Sequence, residues 1–221
     1  QTSGLNAYIG KKLCKNLYLV DIVCHGVPAP YLWRDYLSYL EKKQGAKICW
    51  VNFRDKQEFG WRAHKETFKF IKRARKMSFT FLFYQHIMFR NSCGKCHFTN
   101  IQRPSDITIA DFWGIEKVDP NINSDDKGVS LILINTEKGQ KLFEAIQHDL
   151  NTIPATLDKC LQPNLKHPTI IHPQRMDFER DYKKYGFSYV MKKYGNNDRR
   201  HKLKSTIKKI KNKIKRIIHI N

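Results

Sequence analysis

The longest apolar run of this chain has only the length of one β-strand, and this limits the folds that the chain can adopt. The run covers residues 130–134, Ser-Leu-Ile-Leu-Ile, whereas a helix that crosses a bilayer needs about 20 apolar residues in succession. We therefore expect no transmembrane segment. Further segments that we predict as strands lie at 17–23, 47–54, 65–72 and 106–111, and segments that we predict as helices lie at 30–43, 79–89, 137–150, 176–185 and 187–194.

These strand and helix segments alternate along the chain, which favours a fold of the α/β (α+β) class. We predict a mixed β-sheet flanked by helices, contained in one domain over residues 1–194. Two helix boundaries have specific signals. Pro30 suits the first turn of a helix and Gly45 the position just past its end, and Thr136 is a good N-cap for the helix that begins at residue 137.

The chain has a formal net charge of +21, and nearly half of this excess lies at the C-terminal end. Residues 199–216 contain ten Lys or Arg and no acidic residue. Apolar residues recur there at intervals of four, three, four and three, which predicts a basic amphipathic helix in a tail over 195–221. The residues that form this apolar stripe are Leu203, Ile207, Ile210, Ile214 and Ile217.

A tail of this kind has three interpretations. It is a solvated basic extension, it lies on an anionic membrane surface with its apolar stripe inserted, or it contacts nucleic acid. Nucleic-acid binders usually offer aromatic stacking platforms, and no aromatic residue follows Tyr194. We therefore regard nucleic acid as the least favoured partner.

The six cysteines of the chain occur without any sign of secretion, since no basic segment followed by an apolar one opens the sequence. We therefore expect a cytoplasmic protein; if the tail lies on a membrane, the attachment is peripheral and at the inner face. In a reducing cytosol, cysteines serve as ligands or as inert core residues more often than as disulfides. Cys14, Cys49 and Cys160 lie in contexts that suggest no ligand role, with Cys49 in a sheet and Cys160 in a helix.

Cys93 and Cys96 form a C-x-x-C pair. A tight turn directs two such thiolates to the same side, where they can bind one metal ion or one iron–sulfur cluster. A zinc site would need two more ligands, and no second pair supplies them. A redox dithiol and two unused thiols are the alternatives. Cys24, which ends the first predicted strand, is a candidate third ligand, although a strand-end cysteine is more often simply buried.

Several motifs occur in a fixed order and together resemble the C-terminal domain of the coenzyme F(420) hydrogenase/dehydrogenase beta-subunit family, in its bacterial branch. The resemblance covers about residues 1–194. The motifs are Val20 to Pro28 (VDIVCHGVP), Val51 to Lys56 (VNFRDK) with Gly60-Trp61, Ser92 to Cys96 (SCGKC), Ser105 to Gly114 (SDITIADFWG), and Asp126 to Ser130 (DKGVS).

This resemblance implies a flavoprotein that passes electrons between a 4Fe–4S cluster, FAD and a substrate. The family's cluster cysteines carry over to Cys24, Cys93 and Cys96. A further family cysteine, in a Gly-Thr-Pro-Cys-Gln element, has no counterpart here, because the residues from Gln1 onward resemble the stretch that follows it. We therefore expect this chain to bind its cluster weakly or not at all. A ferredoxin or a ferredoxin-like module is the implied redox partner.

Two turns have the residue types that suit a flavin phosphate. Phosphates favour backbone N–H groups in glycine-containing turns together with nearby cations. These turns supply our candidate cofactor-binding residues, and the alternative is that both are ordinary surface turns. No Gly-x-Gly-x-x-Gly motif supports a Rossmann-type site. The candidates are Arg54, Lys56, Lys127, Gly128 and Ser130.

Trp113 could stack on a ligand ring, although a core position is the more common role for such a residue. The leading function is an iron–sulfur flavoprotein oxidoreductase domain whose catalytic residues the sequence does not identify. The alternatives are a non-enzymatic accessory protein, for example in polysaccharide assembly, and a basic nucleic-acid-binding domain with a structural zinc.

Overall fold

The computed structural model describes residues 1–14, 16–63, 65–71, 73–77 and 79–195. The predicted amphipathic tail therefore lies outside the described residues, apart from residue 195. The chain divides into two compact units. Unit one comprises the described residues within 1–26, 55–64 and 91–170, and unit two those within 27–54, 65–90 and 171–195.

Helices and strands alternate along the described chain, and the predicted α/β class with a mixed sheet flanked by helices is confirmed. No helix among these described residues is long and apolar enough to cross a membrane. Short 3₁₀ turns occur at Asn91–Lys95, Ile115–Lys117, Gln147–Asp149 and Pro163–Leu165. The longer elements are α1 (Thr2–Cys14), β1 (Val20–Ile22), α2 (Pro30–Gln44), β2 (Ile48–Asn52), α3 (Lys56–Phe59), β3 (Glu66–Phe70), β4 (Arg73–Met77), α4 (Thr80–Tyr84), β5 (Ile107–Asp111), β6 (Ser130–Ile134), α5 (Glu137–Ile146), α6 (Leu157–Cys160), α7 (Arg175–Tyr185) and α8 (Phe187–Tyr194).

Unit one contains a three-stranded mixed sheet in the order β1-β5-β6. β1 is parallel to β5, with Asp21 opposite Thr108, and β5 is antiparallel to β6, with Asp111 opposite Ser130. A core packs on this sheet because β5, β6 and the following turns present apolar residues to one side. The buried members of this core are Phe112, Ile115, Leu131, Cys160 and Leu165.

Asp106 ties the start of β1 to the start of α5 in unit one. Its carboxylate accepts hydrogen bonds from the Leu19 backbone N–H at 2.9 Å and from the Thr136 hydroxyl at 2.7 Å. The Lys138 ammonium lies 3.0 Å from the same carboxylate. The prediction that Thr136 is the N-cap of α5 is confirmed, because its hydroxyl accepts a hydrogen bond from the Gly139 N–H. One nearly buried carboxylate thus fixes two chain segments that are far apart in sequence.

Unit two contains an antiparallel sheet in the order β2-β3-β4. The sequence predicts neither this separate sheet nor β4, and the predicted helix over 79–89 is limited to α4. The prediction for α2 is confirmed, with Pro30 in its first turn and Gly45 ending it in a left-handed conformation. The α2 face that carries Leu32, Tyr36 and Leu40 is buried.

A buried carboxyl group lies in unit two beside this helix. Glu66 on β3 is 2% exposed and accepts hydrogen bonds from the backbone N–H and the hydroxyl of Thr80, at the start of α4. Burial raises the pKa of Glu66, and the opposing hydrogen bonds from Thr80 are the weaker influence. The charged form of Glu66 is therefore less favourable here than it is in water.

Candidate functional site

The three predicted thiols all lie in unit one and come from two separate segments. Cys24 follows β1, where the chain turns toward Gly26, and its side chain is exposed. Cys93 lies within the 3₁₀ turn Asn91–Lys95, and Cys96 follows it directly; both are partly buried. The Thr99 hydroxyl donates to the Cys96 carbonyl at 2.8 Å and holds the end of this turn.

The chain segments that carry the three thiols are adjacent, because the Arg103 side chain donates to the Ile22 carbonyl before Cys24 and to the Phe98 carbonyl after Cys96. Although Cys24 is exposed as a residue, nearby protein atoms partly desolvate its sulfur, and this raises the pKa of the thiol; the charges that Cys93 and Cys96 would have as thiolates raise it further. The Gly26 backbone N–H and the Arg103 guanidinium act in the opposite direction and lower it. Cys24 therefore feels both members of the C-x-x-C pair although about seventy residues separate them in sequence.

This arrangement differs from a site for a single metal ion. Within the part of the chain that the structure describes, no three His, Cys, Asp or Glu side chains are arranged to hold one ion.

The other cysteines take the places that the sequence suggests. Cys49 lies on β2 with an exposed thiol that donates to the Lys69 carbonyl at 3.3 Å. Cys160 is buried in the core of unit one at the end of α6. Neither lies among the three candidate ligands, and the side chain of Cys14 is outside the described residues.

A pair of stacked tryptophans lies beside the second of the two turns predicted to bind a flavin phosphate, residues 126–130. The rings of Trp61 and Trp113 are 4.1 Å apart between centroids and inclined by 10°. Trp61 is 1% exposed, and its indole N–H donates to Asp111 at 2.9 Å. Trp113, at the end of β5, is 36% exposed. Trp113 is therefore neither a buried core residue nor a lone platform, since Trp61 covers one of its faces.

Gly128 makes close contact with this aromatic pair possible. Its φ of +91° is favourable only for glycine, and a Cβ atom at this position would lie 2.5 Å from Trp61 Cγ. The Trp61 backbone N–H donates to the Asp126 carbonyl at 2.7 Å, which draws the same turn against the ring. The sequence pattern contains both glycine and tryptophan, but only the fold brings them together.

The predicted cofactor residues are partly brought together. Lys56, Lys127, Gly128 and Ser130 belong to unit one, and the Lys56 ammonium donates to the Lys127 carbonyl at 3.3 Å. Arg54 belongs to unit two. The result is an exposed turn with two lysines, next to the tryptophan pair.

The backbone donors of this turn are already used within the protein. The Gly128 N–H donates to Asn123 at 2.8 Å, and the Lys127 N–H donates to Asp125 at 3.1 Å. A phosphate at this turn would therefore meet lysine ammonium groups rather than backbone N–H groups. The role of Asn123, which is buried, has no signal in the sequence, because an asparagine in a polar turn is ordinary.

No curated protein is significantly similar to this chain in sequence. Residues 1–156 match the model of the family described as the C terminus of the coenzyme F(420) hydrogenase/dehydrogenase beta subunit. The description indicates a redox domain of the hydrogenase/dehydrogenase type. The matched range includes the three candidate thiols, both stacked tryptophans and the predicted turns. The chain therefore belongs to the family of C-terminal domains from coenzyme F(420) hydrogenase/dehydrogenase beta subunits.

Proposed function

We propose that this chain is the redox domain of an iron–sulfur flavoprotein oxidoreductase. In this proposal Cys24, Cys93 and Cys96 bind a 4Fe–4S cluster, and electrons pass between it, FAD and a further acceptor. The observation that supports the proposal is that one arginine, Arg103, is hydrogen-bonded both to the segment before Cys24 and to the loop that follows Cys96. A bound cluster would supply one-electron steps, and a flavin can couple these to two-electron chemistry.

The chain's own residues have two tasks in this function. Because thiolates rather than thiols bind iron, Cys24 must lose a proton whose pKa burial raises. Cluster binding should therefore release protons and weaken as the pH falls. Near the second turn, Lys56 and Lys127 supply positive charge for the flavin phosphates, and the partly exposed Trp113 supplies an aromatic surface.

The distribution of charge supports an acidic redox partner, such as a ferredoxin or a ferredoxin-like module. The ranges of unit one contain thirteen Lys or Arg and thirteen Asp or Glu. Residues 27–54, 65–90 and 171–195 of unit two contain eighteen Lys or Arg and six Asp or Glu. The basic excess of the body thus lies on unit two, and opposite charges accelerate encounters between proteins most strongly at low salt.

Anaerobic reconstitution with iron, sulfide and FAD tests the proposed function. Because the candidate site supplies three thiols rather than four, we expect the full chain to bind iron and sulfide weakly and to lose part of the metal on gel filtration. Before that step the reconstituted chain should show a visible iron–sulfur absorption. Cys24→Ser, Cys93→Ser and Cys96→Ser should each abolish or strongly reduce it. Cys49→Ser is the matched control, because this thiol is exposed on β2 and is not a candidate ligand. This variant should bind iron and sulfide as the unchanged chain does.

Other results of the reconstitution would support one of the alternative functions. A chain that takes up neither iron nor zinc is the non-enzymatic accessory protein, and a chain that binds one zinc supports a structural metal site. Flavin retention is measured in parallel. Lys56→Ala combined with Lys127→Ala should weaken it, whereas Lys141→Ala, an exposed lysine of α5, should not.

A further inference from the structure

One buried arginine connects the two chain segments that carry the thiols. The Arg103 side chain is 4% exposed and lies in unit one. Its Nη2 donates to Asp21 Oδ2 at 2.7 Å and to the Ile22 carbonyl at 3.2 Å. Its Nη1 donates to the Phe98 carbonyl. The first two acceptors belong to β1, which leads to Cys24, and the third follows Cys96 by two residues.

We propose that Arg103 is the positioning residue of the thiol site, and that its guanidinium holds the Cys24 segment against the loop of Cys93 and Cys96. The planar guanidinium suits this task because it presents several N–H donors in a fixed geometry. A lysine has a single ammonium on a flexible stem and cannot reproduce that geometry. The importance of Arg103 for a cluster rests on the proposed function, whereas its importance for thiol proximity does not.

Asp21 is itself held in place, which makes the clamp rigid. The Thr108 hydroxyl donates to Asp21 Oδ1 at 2.6 Å, from the position directly opposite on β5. Thr108 is fully buried and also accepts from the Asn135 side-chain amide at 3.0 Å. The carboxylate therefore uses one oxygen for the sheet and the other for Arg103. Contacts that orient the metal ligands without touching the metal commonly decide how tightly a metal site binds its metal.

The Arg103 guanidinium has a charge that acts on Cys24 and one buried donor that no described residue uses. Its positive charge lowers the pKa of Cys24 and therefore acts on that sulfur. Its Nε atom is buried and has no hydrogen-bond partner among the residues that the structure describes. A buried donor without an acceptor is unfavourable. An anionic sulfur-rich group bound by the thiols would interact favourably with the positive charge of Arg103.

The test measures thiol proximity without any cluster. A short bifunctional thiol reagent is reacted with the apo chain, and peptide mass spectrometry gives the yield of Cys24 joined to Cys93 or Cys96. Arg103→Gln should lower this yield several-fold, and Arg103→Lys should restore part of it. Arg62→Gln is the matched control, because Arg62 is an exposed arginine of unit one that pairs with Glu116 and Asp126; it should behave as the unchanged chain does.

The same variants are then reconstituted, and the loss of the iron–sulfur absorption to a chelator is followed. We expect loss about 10- to 100-fold faster for Arg103→Gln than for the unchanged chain. If Arg103→Gln cross-links and retains iron as the unchanged chain does, the inference is wrong. If the unchanged chain takes up no cluster while its cross-linking still depends on Arg103, the proposed function fails and the positioning role stands.

Folding is monitored by circular dichroism for every variant. Should Arg103→Gln fail to fold, Arg103→Lys and Asp21→Asn carry the test. Asp21→Asn removes the charged partner of Arg103 while leaving the guanidinium in the chain. It should also lower the cross-linking yield, and a yield equal to that of the unchanged chain in both variants would overturn the inference.

Discussion

Replacing Gly128 by alanine should disrupt the packing of the tryptophan pair. Gly128 has a φ of +91°, and the new Cβ would lie 2.5 Å from Trp61 Cγ and 2.6 Å from Trp61 Nε1. The Trp61 ring cannot move aside easily, because it is buried, stacked on Trp113 and hydrogen-bonded to Asp111. The substitution therefore combines a backbone strain with a steric clash.

The magnitude follows from these two contributions. A left-handed conformation costs a non-glycine residue about 1–2 kcal/mol, and forcing an extra carbon into a packed region costs about 1–3 kcal/mol. We expect Gly128→Ala to lower the free energy of unfolding by about 2–5 kcal/mol. This is a large fraction of the roughly 5–15 kcal/mol that stabilises a typical domain.

Gly114→Ala is the matched control for the backbone contribution. Gly114 lies in the same unit with a φ of +89°, but a Cβ there would meet only the Lys117 side chain, at 3.8 Å. Urea unfolding followed by circular dichroism should show a loss of about 1–2 kcal/mol for this control. Equal losses for Gly114→Ala and Gly128→Ala would refute the steric argument.

Three further predictions concern other parts of the chain. Burial raises the pKa of Glu66, so the unfolded chain loses the Glu66 proton at a lower pH than the folded chain does. The free energy of unfolding of the unchanged chain should therefore fall relative to that of Glu66→Gln as the pH rises from about 4. A difference between the two that is independent of pH would contradict this. Burial alone would raise the pKa of Asp106, but hydrogen bonds from Leu19 and Thr136 and the Lys138 charge lower it. Asp106→Asn should lower the free energy of unfolding by about 1.5–3 kcal/mol at neutral pH. This loss should become smaller as acid protonates the aspartate below its usual pKa of about 3.9. The basic segment 199–216 should bind the full chain to phosphatidylserine vesicles at low salt and release it at high salt, and equal binding to neutral vesicles would count against an electrostatic membrane contact.

Sequence alone determined the elements whose signals are local. The helix predicted from Pro30 to residue 43, with Gly45 after it, matches α2 closely, and the segment 187–194 matches α8. Thr136 caps α5 as predicted. In each case the apolar spacing, the cap and the helix end lie within a few residues of one another, and neighbouring residues suffice to define them.

Local signals failed where the structure depends on distant partners. β4 (Arg73–Met77) is rich in charge and is a strand because β3 pairs with it. α1 (Thr2–Cys14) is likewise absent from the predictions, and its helix is interrupted at Gly10, where φ is +67°. The predicted helix over 79–89 is shorter because the chain leaves helical geometry after α4, with His86 at a φ of +59°.

The candidate site divides in the same way. The sequence determined which residues have the chemistry, namely three thiols, a glycine-containing turn with lysines, and a tryptophan. The family resemblance already grouped Cys24 with Cys93 and Cys96. Only the tertiary structure decided that Trp61 stacks on Trp113 and that Arg103 bonds both thiol-bearing segments. These contacts join residues that are tens of positions apart in sequence. Their separation along the chain does not determine their distance in space, because that distance depends on how the strands pair in the sheet.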